Sequence, residues 1–485
     1  MLRSCLTAAL ASLVMSDGTS GAASNGIPDS AINAAIDREL ISDKAVGGNF
    51  IDVRSADGIV TLSGTVDNIL AKKRALYLTE TIKGVKSVVD ELKVSPEKRS
   101  DEEVREDVAR TLADDPAVGH YAIKAAVKDG ALTLTGTVAN WVEQHLAQTV
   151  AESVRGVKSV NNEIVIQPGT KLTDVEVKSD LMRQLEYDAQ LDGTKINVEV
   201  KDGTATLSGT LGCFAEKARA EDDAMGAGAA TVADLDLVVD WAARDKMRRD
   251  YPPVFKTDRE IETALRETFR DDPRVAAFQT HASVEDGIAT LSGVVNNLMA
   301  KQAAEEDARN TLGVWGVQNY LKVRPAQIPG DSELTARVKE ALLRNAVTSL
   351  VPMAVRAIHG TVYLDGVIYS DYMRETASDV VYRVPGVVDL ENNLLIGREP
   401  DVASIADWEI KANIRYRFNF SPRLDSSAIQ VRVVDGIVTL EGVVDNELAR
   451  RAAMDLARRA GARSIHDELT LKTGPPLSRS SDPAP

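Results

Sequence analysis

The sequence predicts an α+β protein made of six tandem copies of one small helix–strand–strand–helix–strand unit. Hydrophobic residues make up 44% of the 485 residues and aromatic residues only 4%, a composition typical of folded cores built from aliphatic side chains. The phrase DGIVTLSGTVDN, beginning at Asp57, returns almost unchanged as DGIVTLEGVVDN at Asp435. Related phrases recur between them at nearly even intervals, which indicates a repeat protein.

Two glycines, six positions apart, mark every copy of the repeat. The first glycine follows an aspartate, or His359 in the degenerate fifth copy, and the second lies in an alternating apolar and polar run. The first glycines are 72, 73, 84, 73 and 76 residues apart. We interpret the pairs as structural turn and packing positions: Gly58 and Gly64, Gly130 and Gly136, Gly203 and Gly209, Gly287 and Gly293, Gly360 and Gly366, and Gly436 and Gly442.

The first element of each copy is an amphipathic helix, as in SDEEVREDVARTLADDP of the second copy. Val104 and Val108 are four residues apart and share one helical face. Ser100 and Glu103 have the spacing of a capping box, and Pro116 is expected to end the helix.

Two strands and a second helix follow, and a third strand closes the copy. The Asp57–Gly58 dipeptide favours a type I′ turn between the first two strands. The alternation around Val60 predicts a strand with one buried face, and the glycine at position 64 predicts a bulge or close packing by a helix. In the first copy the second helix falls in NILAKKRALYLTETIK and the last strand in SVVDELKV.

These elements divide the chain into six modules on short linkers. Because each module holds fewer than 80 residues and has a limited core, we expect globular beads whose neighbours pack in pairs. Residues 1–28 are predicted to be a signal peptide and flexible N-terminus, 241–256 a linker and 473–485 a disordered tail. The modules are 29–95, 100–167, 173–240, 257–324, 331–396, which is degenerate, and 407–472.

This order of elements, with these glycines, resembles the BON domain, a bacterial module named for an osmotic-stress protein and a nodulation protein. The resemblance covers almost the whole chain after its N-terminal segment. It implies αββαβ modules, export to the bacterial envelope, attachment to phospholipid membranes and no catalysis. It supplies no established functional residues to carry over to this chain.

The N-terminal segment bears on the compartment. Arg3 precedes an apolar run from Cys5 to Met15, and small residues follow it, as in a secretory signal peptide. We therefore expect a periplasmic or envelope-associated protein. The alternative is a cytosolic chain that keeps this segment.

The sequence contains no pattern that predicts catalysis, a cofactor or a metal site. Its five histidines do not share a position in the repeat. The carboxylate pairs in Asp114–Pro116 and Asp271–Pro273 are interpreted as solvated turns rather than acid/base pairs. A formal net charge of −16 argues against nucleic acid as a partner.

The sixth module differs from the others in charge and aromatic content. Residues 407–472 hold 11 basic and 10 acidic residues, a net charge of +1, whereas residues 173–240 hold 6 and 15, a net charge of −9. Aromatic rings beside cations suit a membrane interface. The candidate membrane contacts are Trp408, Lys411, Arg415, Tyr416, Arg417 and Phe420. The alternative is a helix whose Ile410, Ile414 and Phe418 face the core of the module.

The sequence thus predicts a non-enzymatic, stress-related envelope protein that binds phospholipid membrane or envelope proteins through several weak modules. The alternative is a cytosolic scaffold that binds proteins or a small ligand.

Overall fold

The computed structural model describes residues 26–46, 50–191, 195–242, 256–397 and 405–472. Within these ranges the chain forms six units, modules 1 to 6, each ordered first helix, first strand, second strand, second helix and third strand. The predicted α+β class with tandem αββαβ modules is confirmed. The predicted signal peptide, the linker 241–256 and the tail 473–485 lie wholly or mostly outside the described residues.

Every module begins with a helix of 14 residues. The capping box predicted at Ser100 and Glu103 is present, and modules 2, 3 and 4 share this device. The first helices are Asp29–Ser42, Asp101–Asp114, Asp174–Tyr187, Asp258–Asp271, Asp331–Arg344 and Asp407–Phe420. The second helices are Ile69–Glu80, Trp141–Glu152, Phe214–Gly226, Leu298–Arg309, Asp371–Tyr382 and Glu447–Arg459.

The second strand lies at the centre of each sheet. It pairs antiparallel with the first strand and parallel with the third. The first strands are Ile51–Ala56, Lys124–Lys128, Lys195–Lys201, Thr280–Glu285, Ala354–Ile358 and Ile429–Val434. The second strands are Ile59–Val66, Ala131–Val138, Thr204–Leu211, Ile288–Val295, Thr361–Ile368 and Ile437–Val444. The third strands are Ser87–Val94, Ser159–Ile166, Thr231–Val239, Gly316–Asn319 with Lys322–Val323, Asp389–Ile396 and Ser464–Leu471.

The core of a module lies between one face of its sheet and its two helices. In module 1, Val60 and Leu62 of the central strand are fully buried against Ile36 of the first helix and Leu78 of the second. Residues that point the other way, such as Ile59, remain exposed, as the alternating pattern predicts.

The hairpin turn has the predicted geometry in all six modules. In module 1, Asp57 and Gly58 have φ angles of 53° and 80°, and both values fall in the left-handed region that a type I′ turn requires. His359 takes the same conformation in module 5, with φ of 49°. The turn therefore survives the loss of its aspartate.

The second glycine has a role that differs from both predicted ones. Gly64 pairs with Ile51 in an unbroken register, so no bulge is present there. A Cβ at this position would lie 1.9 Å from the carbonyl oxygen of Phe50, and one at Gly442 would lie 2.0 Å from that of Ala428. At these two positions the backbone just before the first strand leaves no room for a side chain, whereas at Gly366 the same contact would be an ordinary 3.4 Å. All six second glycines also have positive φ, and none of these contacts comes from a helix.

The aspartate that begins each first helix ties that helix to the hairpin turn. The Asp29 carboxylate accepts hydrogen bonds from the N–H groups of Asp57, at 2.8 Å, and Gly58, at 3.0 Å. These two hydrogen bonds lower the pKa of Asp29. Equivalent contacts recur in the other modules. Sequence reasoning missed this role, although an aspartate 28 residues before each turn was a readable signal.

The modules do not pack as a row of neighbouring beads. Module 1 contacts module 6, module 2 contacts module 5, and module 3 contacts module 4, so the pairing is nested. The longest spacing between repeats separates the third and fourth modules, which form the innermost pair, so the chain turns back at this point. The expectation that sequence neighbours pair is correct only for modules 3 and 4.

One backbone hydrogen bond recurs in the three pairs. The last carbonyl of a first helix accepts a hydrogen bond from a backbone N–H that lies just after the second helix of the partner module. The N–H of Lys83 donates to Phe420, that of Arg155 to Arg344 and that of Leu312 to Tyr187, at 2.7–2.8 Å. Two pairs add a return bond, from Ala346 to Ser153 and from Ala189 to Asn310. Module 6 has Pro422 at the corresponding position, which has no N–H to donate.

The beginnings of the second helices add apolar contacts between modules. Ile69 of module 1 belongs to the core cluster of module 2, and Leu298 of module 4 belongs to that of module 5. Phe214 of module 3 packs against the core of module 1. Such contacts join the three pairs to one another, so the described modules form one body and not independent beads.

Candidate functional site

The first helix of module 6 carries all six candidate membrane-contact residues, and the structure divides them into two groups. Trp408, Lys411 and Arg415 are exposed, and Trp408 is 73% accessible to solvent. Their spacing of three and four residues places them on one face of the helix. We call these three residues the exposed patch.

The other three candidates lie in the interface with module 1. Arg417 is 4% exposed, and its guanidinium donates to the Glu39 carboxylate and, at 2.9 Å, to Ser42 Oγ. Tyr416 and Phe420 pack against the core of module 1. The prediction that these three contact a membrane is wrong, because a partner module covers their side of the helix.

The alternative interpretation of this helix is correct for its apolar stripe. Ile410, Ile414 and Phe418 are all at most 1% exposed and belong to the core of module 6. The helix therefore has three faces, which meet its own core, module 1 and solvent.

Charge is concentrated where modules 1 and 6 meet. The Glu39 carboxylate accepts from both Arg417 and Arg459, the latter at 2.8 Å. Arg38 of module 1 stacks over the ring of Tyr416, 4.2 Å from its centre. Burial lowers the pKa of Arg417 against the attraction of Glu39, and the nearby Arg459 lowers it further.

The acidic DDP segments lie at interfaces between modules, where their second aspartates, Asp115 and Asp272, are covered and their first, Asp114 and Asp271, stay partly solvated. Asp115 is 2% exposed and forms an ion pair with Arg383 of module 5, while Asp114 lies 3.1 Å from Arg344 of the same module. In the pair of modules 3 and 4, Asp271 lies 2.7 Å from Arg183. The solvated-turn prediction is therefore correct only for the first aspartates, and it missed their ion pairs because the partner arginines are far away in sequence.

No side-chain arrangement in the described ranges resembles a metal centre. Among residues 26–46, 50–191, 195–242, 256–397 and 405–472, no group of three or more His, Cys, Asp and Glu side chains could hold a metal ion. In the same ranges, no helix combines the length and apolar character that crossing a bilayer requires.

Comparison with known proteins shows which family the repeated unit matches. Six segments match the BON domain, at residues 28–96, 100–168, 173–239, 257–325, 330–398 and 406–473. The osmotically-inducible protein Y of Escherichia coli (strain K12) is 30% identical over 156 residues, which are 30% of this chain and 77% of that protein.

Solved structures give a weaker likeness. The C-terminal domain of CdsD, titled as the structural protein of the type III secretion system of Chlamydia trachomatis, is 16% identical; the match covers 47% of this chain and all of that one, with a TM-score of 0.13. A second CdsD structure is 18% identical, with 45% and 98% covered and a TM-score of 0.12. These TM-scores support no conclusion about this chain. The six matches to one family, which together span most of the sequence, show that this chain belongs to the BON domain family.

Proposed function

We propose that this chain is a non-enzymatic protein of the bacterial envelope that docks on phospholipid surfaces through the exposed patch of module 6. One observation carries the proposal. Trp408, Lys411 and Arg415 remain on a solvent-facing helix surface after module 1 has covered the neighbouring face.

The chemistry of the patch suits an interface between water and lipid. An indole ring favours the headgroup level of a bilayer, and flanking cations attract anionic headgroups over a short range. The whole chain carries a formal net charge of −16, so long-range attraction to anionic lipid is absent. Binding must therefore come from a local contact, and module 6 combines a near-neutral net charge of +1 with the exposed patch.

The packing of the modules limits how weak contacts from several modules can combine into a stronger overall affinity for a membrane. The chain does not present six freely hinged beads, because its second helices contact neighbouring modules. Apolar residues on the open sheet faces, such as Val294, Val367 and Val443, are 42–50% exposed. We propose that they provide secondary contacts to envelope components and that the exposed patch is the main contact.

The proposed compartment rests on the N-terminal segment and on the family. We propose export to the periplasm with removal of that segment near Ala23. A role in osmotic stress is proposed from the name of the Escherichia coli relative. N-terminal sequencing of the mature chain from a periplasmic fraction tests export; finding Met1 retained in a cytosolic fraction would contradict it.

Vesicle flotation with the full chain tests the exposed patch. We expect wild type to float with vesicles that contain phosphatidylglycerol, and Trp408→Ala and the double variant Lys411→Glu/Arg415→Glu to float several-fold less. Module 3 offers a matched control, because Val175, which is 78% exposed, and Lys178 occupy the corresponding helix positions. Equal losses from Val175→Ala/Lys178→Glu and from the patch variants would refute the assignment.

A further inference from the structure

Two adjoining cavities lie between modules. One, of about 800 Å³, opens where modules 1, 5 and 6 meet, and the other, of about 490 Å³, lies mainly between modules 4, 5 and 6. They share a wall formed by Glu306, Glu375, Arg423, Leu448 and Arg451. We call the two together the inter-module cavity. Each part by itself has a volume in the range of small-molecule sites.

The lining of this cavity holds more basic than acidic residues, although the chain as a whole is acidic. Seven basic residues line the larger part and five line the smaller, with two in common, which makes ten. Five acidic residues line the larger part and three line the smaller; two of them line both, so the whole lining has six acidic residues. Five of the ten basic residues form ion pairs with carboxylates outside the lining, so this excess is not the charge that a ligand would meet; they are Lys73, Arg74, Arg274, Arg309 and Arg383. The other five all belong to module 6, which contributes Asp455 as its acidic lining residue; they are Arg417, Arg423, Arg451, Arg458 and Arg459.

Some of this positive charge is buried without full compensation. Arg417 and Arg459 both line the larger part, and they share the single carboxylate of Glu39. The Nε atoms of both arginines are buried and have no hydrogen-bond partner in the described part of the chain. Buried charge without compensation is costly, so an anion in this cavity would stabilise the surrounding structure.

Arg451 in the shared wall is available for a ligand. Its side chain is half-buried, and its charge interacts with Asp455, one helical turn away, which already forms an ion pair with Arg458 at 2.7 Å. Arg423, in the same wall, also lines both parts. Guanidinium groups present paired N–H donors that match the oxygens of a phosphate group.

We propose that the inter-module cavity binds a small molecule bearing phosphate groups, with Arg451 as its main contact. Guanidinium groups from several helices suit a group with more than one negative charge better than a single carboxylate. The walls come from different modules, so the bound anion would bridge them and stabilise their packing. This site is separate from the exposed patch.

Calorimetric titration of the full chain with pyrophosphate tests the proposal. We expect saturable binding and a rise in the unfolding temperature, and Arg451→Gln should weaken affinity about tenfold, the effect of losing one charge-assisted contact. Arg451→Lys keeps the charge and should recover part of the affinity. Arg463→Gln is the matched control, because Arg463 is an exposed arginine of the same module outside the cavity.

Two results would overturn the proposal. One is the absence of pyrophosphate binding by folded wild type at millimolar concentration. The other is equal affinity in Arg451→Gln and Arg463→Gln. The wild-type titration does not depend on any variant folding.

Flotation with phosphatidylglycerol vesicles, with and without pyrophosphate, distinguishes the sources of phosphate. Displacement by pyrophosphate, together with weaker flotation of Arg451→Gln, assigns the cavity to lipid headgroups. Pyrophosphate binding without displacement assigns it to a soluble phosphate compound. Because Trp408→Ala should leave the affinity for pyrophosphate unchanged, failure of the exposed patch and failure of the cavity are distinguishable.

Discussion

Glu39 and Arg417 form a buried ion pair that joins the first and the last modules across 378 positions of the sequence. Their side chains are 6% and 3% exposed. Arg459 shares the same carboxylate, and the backbone of Lys83 donates to Phe420 beside it. The two ends of the repeat array are thus held together by charge and not only by apolar packing.

Replacing Arg417 should destabilise the chain, whereas replacing Arg415 should not. We expect Arg417→Met to lower the free energy of unfolding by about 3 kcal/mol, the lower end for breaking a buried pair, because Arg459 still partners Glu39. Arg415→Met, two positions away on the exposed face, should cost little. Urea denaturation followed by circular dichroism measures both, and equal costs would contradict the assigned interface.

The two glycines of a module should differ in their tolerance of alanine. Gly442→Ala should cost more than Gly436→Ala, because the added Cβ would meet the Ala428 carbonyl oxygen at 2.0 Å in the first case and only the Arg463 Cβ at 3.4 Å in the second. Both have positive φ, so Gly436→Ala still carries strain of about 1 kcal/mol. Gly169→Ala, with open space around it, is the control. A larger loss at Gly436 than at Gly442 in thermal melts would contradict the close strand crossing.

Stability should depend on pH through Asp379. Partial desolvation by the surrounding cavity walls raises the pKa of this solvent-exposed carboxyl from 3.8 to about 6, while Arg383 and Arg274 oppose the rise and Glu306 adds to it. The folded chain therefore binds a proton that the unfolded chain releases between these pH values, so stability is gained as pH falls from above 6 toward 4 and is lost as pH rises.

The pH prediction is checked by comparing wild type with Asp379→Asn. The variant should be slightly more stable than wild type at pH 7.5, because water screens much of the effect at this exposed position, and the difference should shrink toward pH 4.5. Asp389→Asn, which removes another exposed carboxylate of the same module, controls for the loss of one charge. A difference between wild type and Asp379→Asn that is independent of pH in urea denaturation would refute the assignment.

The aspartate that begins each first helix should be needed for the hairpin turn. Asp101→Ala removes the acceptor of the N–H groups of Asp129 and Gly130, at 2.8 and 2.9 Å. We expect a lower unfolding temperature and faster amide hydrogen exchange at those two positions. Glu106→Ala on the same helix, which removes an exposed side chain, should change neither. Unchanged exchange at Asp129 and Gly130 in the Asp101 variant would show that the contact does not hold the turn.

The sequence by itself determined the module and its local devices. The turn at Asp57–Gly58 and the capping box at Ser100 and Glu103 depend on residues at most three positions apart, so the local sequence pattern is enough to predict their geometry. The alternation around Val60 likewise predicts its buried face. The fold class was predictable because the same sequence pattern occurs in six copies, and each copy predicts the same elements.

Only the tertiary structure decided which modules meet and which charged residues are covered. A sequence signal existed, because Arg417 continues the buried stripe of Ile410 and Ile414, and Glu39 continues that of Ile32 and Ile36. The pattern could mark these charges as facing inward, but it could not name their partners. Repeated modules offer nearly equal helix ends to one another, so the nested pairing depends on differences such as the ion pairs of Glu39 and Asp115, whose members lie hundreds of residues apart.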